Sequence, residues 1–321
     1  MPAPTLSLVF PIFDEQEVLP HLLTRLDTVV ADLQASTGPV EAIFVNDGSR
    51  DASWQLLNEL SQTRPWMRLV NLSRNFGHQI AVTAGMHYAG GDAVVIMDAD
   101  LQDPPELLPE MIRLWKGGND VVYAVRTERE GETAFKKATA SAFYKLLQSL
   151  TNVPIPADTG DFRLMDRKVV AAMNAMGEHH RFLRGMAAWV GFTQIGLPYK
   201  RDARAAGETK YPLKKMVRLA VDAIASFSQA PLKLATYMGF AVTLLSLLAI
   251  VVVIILRLTP GIRALEGQAT TLIAALFIGG VQLVCIGILG EYIGRIYDEV
   301  KRRPLYLVSR THGFDDNTAV K

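Results

Sequence analysis

The chain has 321 residues, half of them hydrophobic, with 33 Lys/Arg against 32 Asp/Glu and a formal net charge of +1. That balance gives no basis for bulk nucleic-acid binding, and a single cysteine, Cys285, excludes a disulfide-stapled scaffold. A mean hydropathy of +0.18 is high for a purely soluble enzyme, so the excess must be localised. Thr5 to Ile12 reads as a first strand; no basic region precedes it, so no signal peptide is expected. It runs into the acidic turn Phe13-Asp14-Glu15-Gln16-Glu17. Val18 to Leu33 carries apolar residues at helical spacing, and Gly38-Pro39 breaks the chain. Val40 to Val45 is a second strand, ending in Asn46-Asp47-Gly48-Ser49-Arg50-Asp51; Ser53 to Leu60 fits a helix capped by Asp51. Met67 to Leu72 is a third strand, ending in Ser73-Arg74-Asn75-Phe76-Gly77, and Gln79 to Ala89 is helical.

The fourth strand, Ala93 to Met97, ends abruptly in Asp98-Ala99-Asp100-Leu101-Gln102-Asp103-Pro104-Pro105. Its unbroken apolar run suits a strand buried on both faces. In an extended chain Asp98 and Asp100 leave the same face and repel, which makes sense if a divalent cation lies between them. Oxygen ligands favour Mg²⁺ or Mn²⁺ over zinc, completed by substrate phosphates. An Asp-x-Asp pair alone also fits a solvated acidic turn. A helix over Glu106 to Trp115 follows, then a fifth strand, Asp120 to Val125, running into Arg126.

Strands and helices alternating at this pitch predict an α/β fold with a mostly parallel sheet covered on both faces. Ligands bind such sheets beyond the carboxyl ends of the strands. Asp14/Glu15, Asp47, Arg74/Asn75, Asp98/Asp100 and Arg126 all fall there, which argues for one site. After Arg126 come Arg129, Lys136, Lys137, an amphipathic stretch from Phe143 to Leu150, and the polar motif Asp158 to Arg167. A loop-like segment spans Arg201 to Tyr211. Leu213 to Phe227 combines helical apolar spacing with Lys214, Lys215 and Arg218, the pattern of a helix on a membrane surface. His78 reads as polar structure at a helix start, and His179 and His180 as surface or interface residues; none has metal spacing.

The excess hydropathy lies near the end. Residues 234–256 and 267–290 are uncharged runs of 23 and 24 residues, each long enough to span a bilayer. The link Arg257 to Glu266 forces a hairpin. Lys/Arg number four from Lys214 to Lys233, two in the link and five from Glu291 to Arg310, so both termini are expected in the cytoplasm.

The ordered set Phe13-Asp14-Glu15, Asn46-Asp47-Gly48-Ser49, Arg74-Asn75-Phe76-Gly77, Asp98 to Pro105, Gly160-Asp161-Phe162-Arg163 and Thr209-Lys210-Tyr211 resembles the family 2 glycosyltransferases of GT-A fold. More narrowly it resembles the polyprenyl-phosphate glycosyltransferases: bactoprenol glucosyltransferases, the undecaprenyl-phosphate formamido-arabinose transferase and dolichol-phosphate mannose synthase. The ending Leu289-Gly290-Glu291-Tyr292-Ile293-Gly294-Arg295-Ile296-Tyr297 is similar to the bacterial members. Asn46 and Asp14 depart from the Asp and Asn that many relatives carry there. The resemblance implies a cytoplasmic GT-A domain over 1–212, an amphipathic juxtamembrane helix over 213–232, a membrane hairpin over 233–290 and a cytoplasmic tail over 291–321.

It further implies inverting transfer of a sugar from a nucleotide diphosphate to polyprenyl phosphate at a bacterial inner membrane, with glucose from UDP-glucose as the first-choice donor. UDP-formamido-arabinose and GDP-mannose are the other donors. Asp98, Asp100 and Gln102 would hold Mg²⁺ or Mn²⁺, and Asp98 would contact ribose or metal. Pro11, Phe13, Glu15, Asp47, Arg74, Lys210 and Tyr211 would bind the nucleotide sugar. Arg126, Arg129, Lys136 and Lys137 would take the acceptor phosphate, with Asp161, Arg126 and Arg163 at the reacting centre. An Asp161–Arg163 ion pair in a tight glycine turn is the structural alternative. Membrane lipids and a homo-oligomer, a tetramer by resemblance, are the further expected partners; nucleic acid is not. A processive polysaccharide synthase would carry a Gln-x-x-Arg-Trp signature and more spans. An inactive membrane-anchored nucleotide-sugar binder would have lost the Asp-x-Asp acids.

Overall fold

The computed structural model describes residues 4–127, 159–200, 228–258 and 268–314. Eight strands form one sheet: β1 (Leu6–Ile12), β2 (Val40–Asn46), β3 (Met67–Leu72), β4 (Ala93–Ile96), β5 (Val121–Arg126), β6 (Thr159–Asp166), β7 (Gln194–Tyr199) and β8 (Val308–His312). Their spatial order is β7-β5-β6-β4-β1-β2-β3-β8. The β1/β2, β1/β4, β2/β3 and β5/β7 pairs are parallel, while β6 and β8 pair antiparallel with their neighbours.

Every residue of β1, β2 and β4 is buried, as their continuous apolar character requires. On one face lie α1 (Leu19–Thr37), α2 (Ser53–Ser61) and α4 (Leu108–Lys116), whose Leu22, Leu57 and Met111 join Leu8, Phe10 and Phe44 in one core. The opposite face is covered by α3 (His78–Tyr88), α5 (Arg167–Ala175) and α6 (Leu183–Trp189), where Val82, Val169 and Met186 pack on Val9, Val45 and Met165. Gly85 of α3 permits close packing: a Cβ there would stand 2.2 Å from a methyl of Val9.

The first five strands and four helices fall where the periodicity predicts them, with three differences of substance. β4 ends at Ile96, and Ala99-Asp100 form a turn, followed by Leu101 at φ +60°. The extended-chain argument that sets Asp98 and Asp100 on one face therefore does not hold. Residues 159–166, read as a polar motif, form a fully inserted strand between β4 and β5. The segment after the second apolar run is not simply a tail. The last helix continues to Lys301, and β8 then returns to pair with β3.

The two apolar helices are α7 (Ala230–Leu258) and α8 (Gln268–Lys301). Their stretches Ala230–Ile255 and Ile273–Lys301 are long and apolar enough to cross a bilayer. Leu244, Leu248 and Leu276 are more than half exposed, so these helices are not core helices of the sheet domain. Tyr292 of α8 donates from its hydroxyl to the carbonyl of Ser228, two residues before α7, at 2.6 Å, and Cys285 of α8 faces the Ala235 carbonyl of α7 at 3.6 Å. The basic amphipathic segment around 135–150 and the helix over 213–227, which would dock the domain on the membrane surface, fall outside the described residues.

Candidate active site

The sheet splits at β1. Thr5 and Val9 direct their carbonyls toward β4, as the bonds from Ala93 N–H to the Thr5 carbonyl and Met97 N–H to the Val9 carbonyl demonstrate. The β1/β4 ladder stops at Val9–Ile96, and Pro11, which has no N–H to donate, sits just beyond it. A parallel α/β sheet opens a crevice where successive strands depart to opposite sides, and β1 is that strand here.

On the β1–β3 side the loops are stitched together by short polar side chains. Asp14, held at φ +54°, donates its N–H to Ser49 Oγ at 3.0 Å, and its Oδ1 accepts the Arg50 N–H at 2.7 Å. Glu15 N–H reaches Ser53 Oγ at 2.9 Å, and Gln16 N–H reaches Asp51 Oδ2 at 3.1 Å. Asn46 donates to Asn71 Oδ1 at 2.6 Å and accepts from Ser49 Oγ at 2.5 Å. An ionised aspartate could not make both bonds, so the amide found at 46 serves this network. Asp47 is buried, and its two oxygens accept the backbone N–H groups of Phe76 at 2.7 Å and Gly77 at 2.9 Å. Burial pushes its carboxyl up, against those two bonds and the nearby His78 and Arg74. Gly48 is obligatory: φ is +67°, and a Cβ would lie 2.5 Å from the backbone of Arg74 and Asn75. Arg74 lies over the Phe76 ring at 4.1 Å, while Phe13 remains 41% exposed.

The other side carries charge. Asp161, on β6 and buried, is a hub. It accepts from Arg184 Nε at 2.7 Å and Gln79 Nε2 at 3.1 Å, and faces His78 Nε2 at 3.3 Å. The same His78 nitrogen stands 3.6 Å from Asp98 Oδ1. Burial pushes Asp161 up, but Arg184 and His78 outweigh it and hold the carboxyl well below the ordinary range. His78 is lowered by burial yet raised by Asp161 and Asp98 to about 9, so it is an imidazolium at neutral pH. Burial, with Asp161, Asp103 and Asp100, pushes Asp98 up to about 6 against the pull of His78.

Asp98 Oδ1 is buried and makes no hydrogen bond. Such an orphaned acceptor, beside the oxygen donors of Asp100 and Gln102, fits a hard divalent cation. Asp100 Oδ1 accepts the Gln102 N–H at 3.2 Å, which folds these two residues onto one turn. Among the described residues no three His, Cys, Asp or Glu side chains form a metal cage on their own, so phosphate oxygens would have to complete the set.

The chain matches the description Glycosyl transferase family 2 over residues 7–173, and a GtrB C-terminal hairpin over residues 230–296. It is 49% identical to an uncharacterised glycosyltransferase of Bacillus subtilis over 97% of this chain and 95% of that protein. The chain belongs to glycosyltransferase family 2. This transferase is also 41% identical to the bactoprenol glucosyl transferase of Shigella phage SfII, over 96% of this chain and 98% of that one. A mannosyltransferase from Pyrobaculum calidifontis, solved with GDP-Man and Mn²⁺, superposes with a TM-score of 0.43 at 16% identity, over 91% of this chain and 87% of that chain.

The transferase brings Arg126 to the same place by a different route. Gly160 leaves room for it: a Cβ at 160 would stand 2.7 Å from Arg126 Nη2. Arg126 Nε donates to the Tyr199 hydroxyl at 3.4 Å, and that hydroxyl donates to Asp103 Oδ1. Burial and Asp103 push Tyr199 up to about 12. Arg163 is buried two residues from Asp161; one of its nitrogens donates to the Gly160 carbonyl at 3.0 Å and its Nε has no partner. Burial pushes its guanidinium down to about 10 despite Asp161. The ion pair of Asp161 is made with Arg184, not with Arg163.

Among the predicted residues, Asp98, Asp161, Arg126 and Arg163 thus share the β4–β6 end, and Pro11, Phe13, Glu15, Asp47 and Arg74 the β1–β3 end. Arg129, Lys136, Lys137, Lys210 and Tyr211 lie outside the described residues. The sequence reading set His78 aside as polar structure at a helix start and gave no role to Gln79, Arg184, Asp103 or Tyr199. For His78 a signal existed: it follows a glycine at a strand-end loop and opens a helix. Nothing in the sequence points from Arg184 to Asp161.

Proposed function

We propose that this transferase moves glucose from UDP-glucose to polyprenyl phosphate at the cytoplasmic face of a bacterial inner membrane, with inversion at the anomeric carbon. An oxygen of the acceptor phosphate attacks that carbon, the new C–O bond forms, and the bond to the departing UDP breaks. The carrying observation is that one nitrogen of His78 faces both Asp98, at the β4 end, and Asp161, on β6. A donor-side and an acceptor-side carboxylate are thereby one site in a chain that also carries two long apolar helices. The near-full-length bactoprenol glucosyl transferase relatives support the choice of lipid acceptor and of glucose.

In this reading Pro11 and Phe13 line the nucleoside pocket. Asp47 holds the Phe76–Gly77 backbone and meets the base, and Glu15 and Arg74 border it. Asp98, Asp100 and Gln102 would hold Mg²⁺ or Mn²⁺, which would supply positive charge to the departing diphosphate; the buried Asp98 Oδ1 without a hydrogen bond supports this. A phosphate monoester is already anionic near neutrality, so the protein's task is capture and aim. Arg126, beside Gly160, takes the acceptor phosphate together with Arg129, Lys136 and Lys137. Lys210 and Tyr211 would bind the nucleotide sugar. Asp161 takes up a residual proton or orients the phosphate, and Arg163 adds positive charge from below. Both termini face the cytoplasm, and a homo-oligomer, a tetramer by resemblance, is the expected assembly.

The test is incubation of the purified full chain with labelled UDP-glucose, undecaprenyl phosphate and Mg²⁺ or Mn²⁺, followed by organic extraction. Label moving into the organic phase supports the reading. Label that stays in water with UDP-glucose, UDP-formamido-arabinose and GDP-mannose alike would sink it.

A further inference from the structure

His78 stands at a junction that neither strand-end acid occupies alone. Its place is set from below. Asp47 pins the N–H groups of Phe76 and Gly77, and Gly77, at φ +104°, turns the chain so that α3 begins at His78. The next residue, Gln79, donates to Asp161 Oδ2 and accepts the Leu183 N–H at 2.9 Å through Oε1, which ties α3 to α6. The imidazole therefore enters the site from a helix whose first turn is fixed at both ends. Within the site, Nε2 meets Asp161 Oδ2 at 3.3 Å and Asp98 Oδ1 at 3.6 Å.

Two carboxylates this close to one nitrogen repel each other unless a donor lies between them. A single ring N–H can satisfy only one acceptor fully. Asp161 is also held by Arg184 and Gln79, whereas Asp98 Oδ1 has no hydrogen bond. The ring is thus anchored on the acceptor side and turns toward an acid that a ligand must complete.

We propose that His78 is a positioning residue of the transfer step, setting the separation between the Asp98 end, where the diphosphate leaves, and the Asp161 end, where the acceptor phosphate attacks. The inference rests on the reading of function above. It acts through Asp161 and touches neither substrate.

The test compares His78→Ala, His78→Asn and His78→Gln in the full chain, with the Asp161→Ala single variant and the His78→Ala/Asp161→Ala double variant. Steady-state transfer is measured against UDP-glucose and undecaprenyl phosphate separately, with thermal unfolding as the check on folding. Misplacing a reacting group by about 1 Å can cost about 100-fold in rate. His78→Ala is therefore expected to lower kcat about 100-fold, with the KM for UDP-glucose within about threefold of wild type. His78→Asn or His78→Gln, whose amide donates without the ring's charge, restores about a tenth of wild-type kcat or more. The double variant is no slower than Asp161→Ala alone, because the two residues act as one unit. If His78→Ala does not fold, the Asn and Gln variants carry the comparison, and kcat losses in both with unchanged KM support the proposal. A kcat within about threefold of wild type in His78→Ala, a change confined to KM, or a double variant slowed by the product of the two single effects would each overturn it. If UDP-glucose is inert but another nucleotide sugar is transferred, the choice of donor falls while the same ratios, read with that sugar, decide the role of His78.

Discussion

The two ends of the crevice are built on opposite principles. On the β1–β3 side the polar groups are mutually satisfied: Asp14, Asn46, Asp47, Ser49, Asp51 and Ser53 all hydrogen-bond to loop backbone or to one another. On the β4–β6 side Asp98 Oδ1 and Arg163 Nε are buried without a hydrogen bond. A buried polar atom left unpaired costs roughly 1–3 kcal/mol. The first side is a finished mould, whereas the second is held in an incomplete state that a charged ligand would complete. Charges removed from the mould should therefore loosen the fold, and removal of the incompletely bonded Asp98 or Arg163 should spare or strengthen it while slowing or ending transfer; Asp161, which holds Arg184, Gln79 and His78, is the exception on that side.

The sharpest separation comes from Asp100→Ala. It is expected to reduce transfer by more than about 100-fold without unfolding the protein, as circular dichroism would show. EDTA should do the same to the wild-type chain, and excess Mn²⁺ should restore it. Transfer that survives both treatments would remove the cation from the β4 end. The opposite pole is Gly48→Val. Its side chain meets the Arg74–Asn75 backbone and demands an unfavourable φ, so urea unfolding should register a loss of more than about 2 kcal/mol. Asp47→Ala should cost about 2 kcal/mol, the order expected for hydrogen bonds to a charged group, and weaken binding of Mn²⁺–UDP measured by calorimetry. A neutral result there would deny that this end is a preformed mould.

The smallest effects are the most telling because their sign reverses. Arg163→Met keeps the volume and removes a buried charge, so it should raise stability by about 1 kcal/mol while slowing transfer. For Asp98 the sign follows from its pKa, raised to about 6 from 3.8. The fold carries no penalty while the group is protonated in both states. The penalty grows as pH rises past 3.8 and is complete above about 6. Asp98→Asn should accordingly raise the melting temperature above pH 6, change little below pH 4, and abolish transfer. A destabilised Asp98→Asn at neutral pH would make Asp98 a structural acid and erase the contrast between the two ends.

Much of this was legible in the sequence because it is local. Apolar runs such as Val40–Val45, helical spacing over Leu19–Leu33 and the two uncharged segments depend only on near neighbours, and they located the strands, helices and hairpin. The strand-end rule then collected Asp47, Asp98 and Arg126 at one edge. β6 escaped because its polar residues are buried, against the alternation by which half-buried strands are recognised. β8 escaped because it pairs with β3 across most of the chain length.

What the sequence determined by itself was the inventory: which acids stand at strand ends, which family's motifs they form, and which segments are apolar enough for a bilayer. The tertiary structure alone decided the pairing. Inserting β6 between β4 and β5 puts Asp161 against Asp98, and α3 and α6 then bring His78 and Arg184 to it. Such contacts join residues 83 and 23 positions apart. No periodicity encodes them; they exist because burial forces each charge to find its partner wherever the fold provides one.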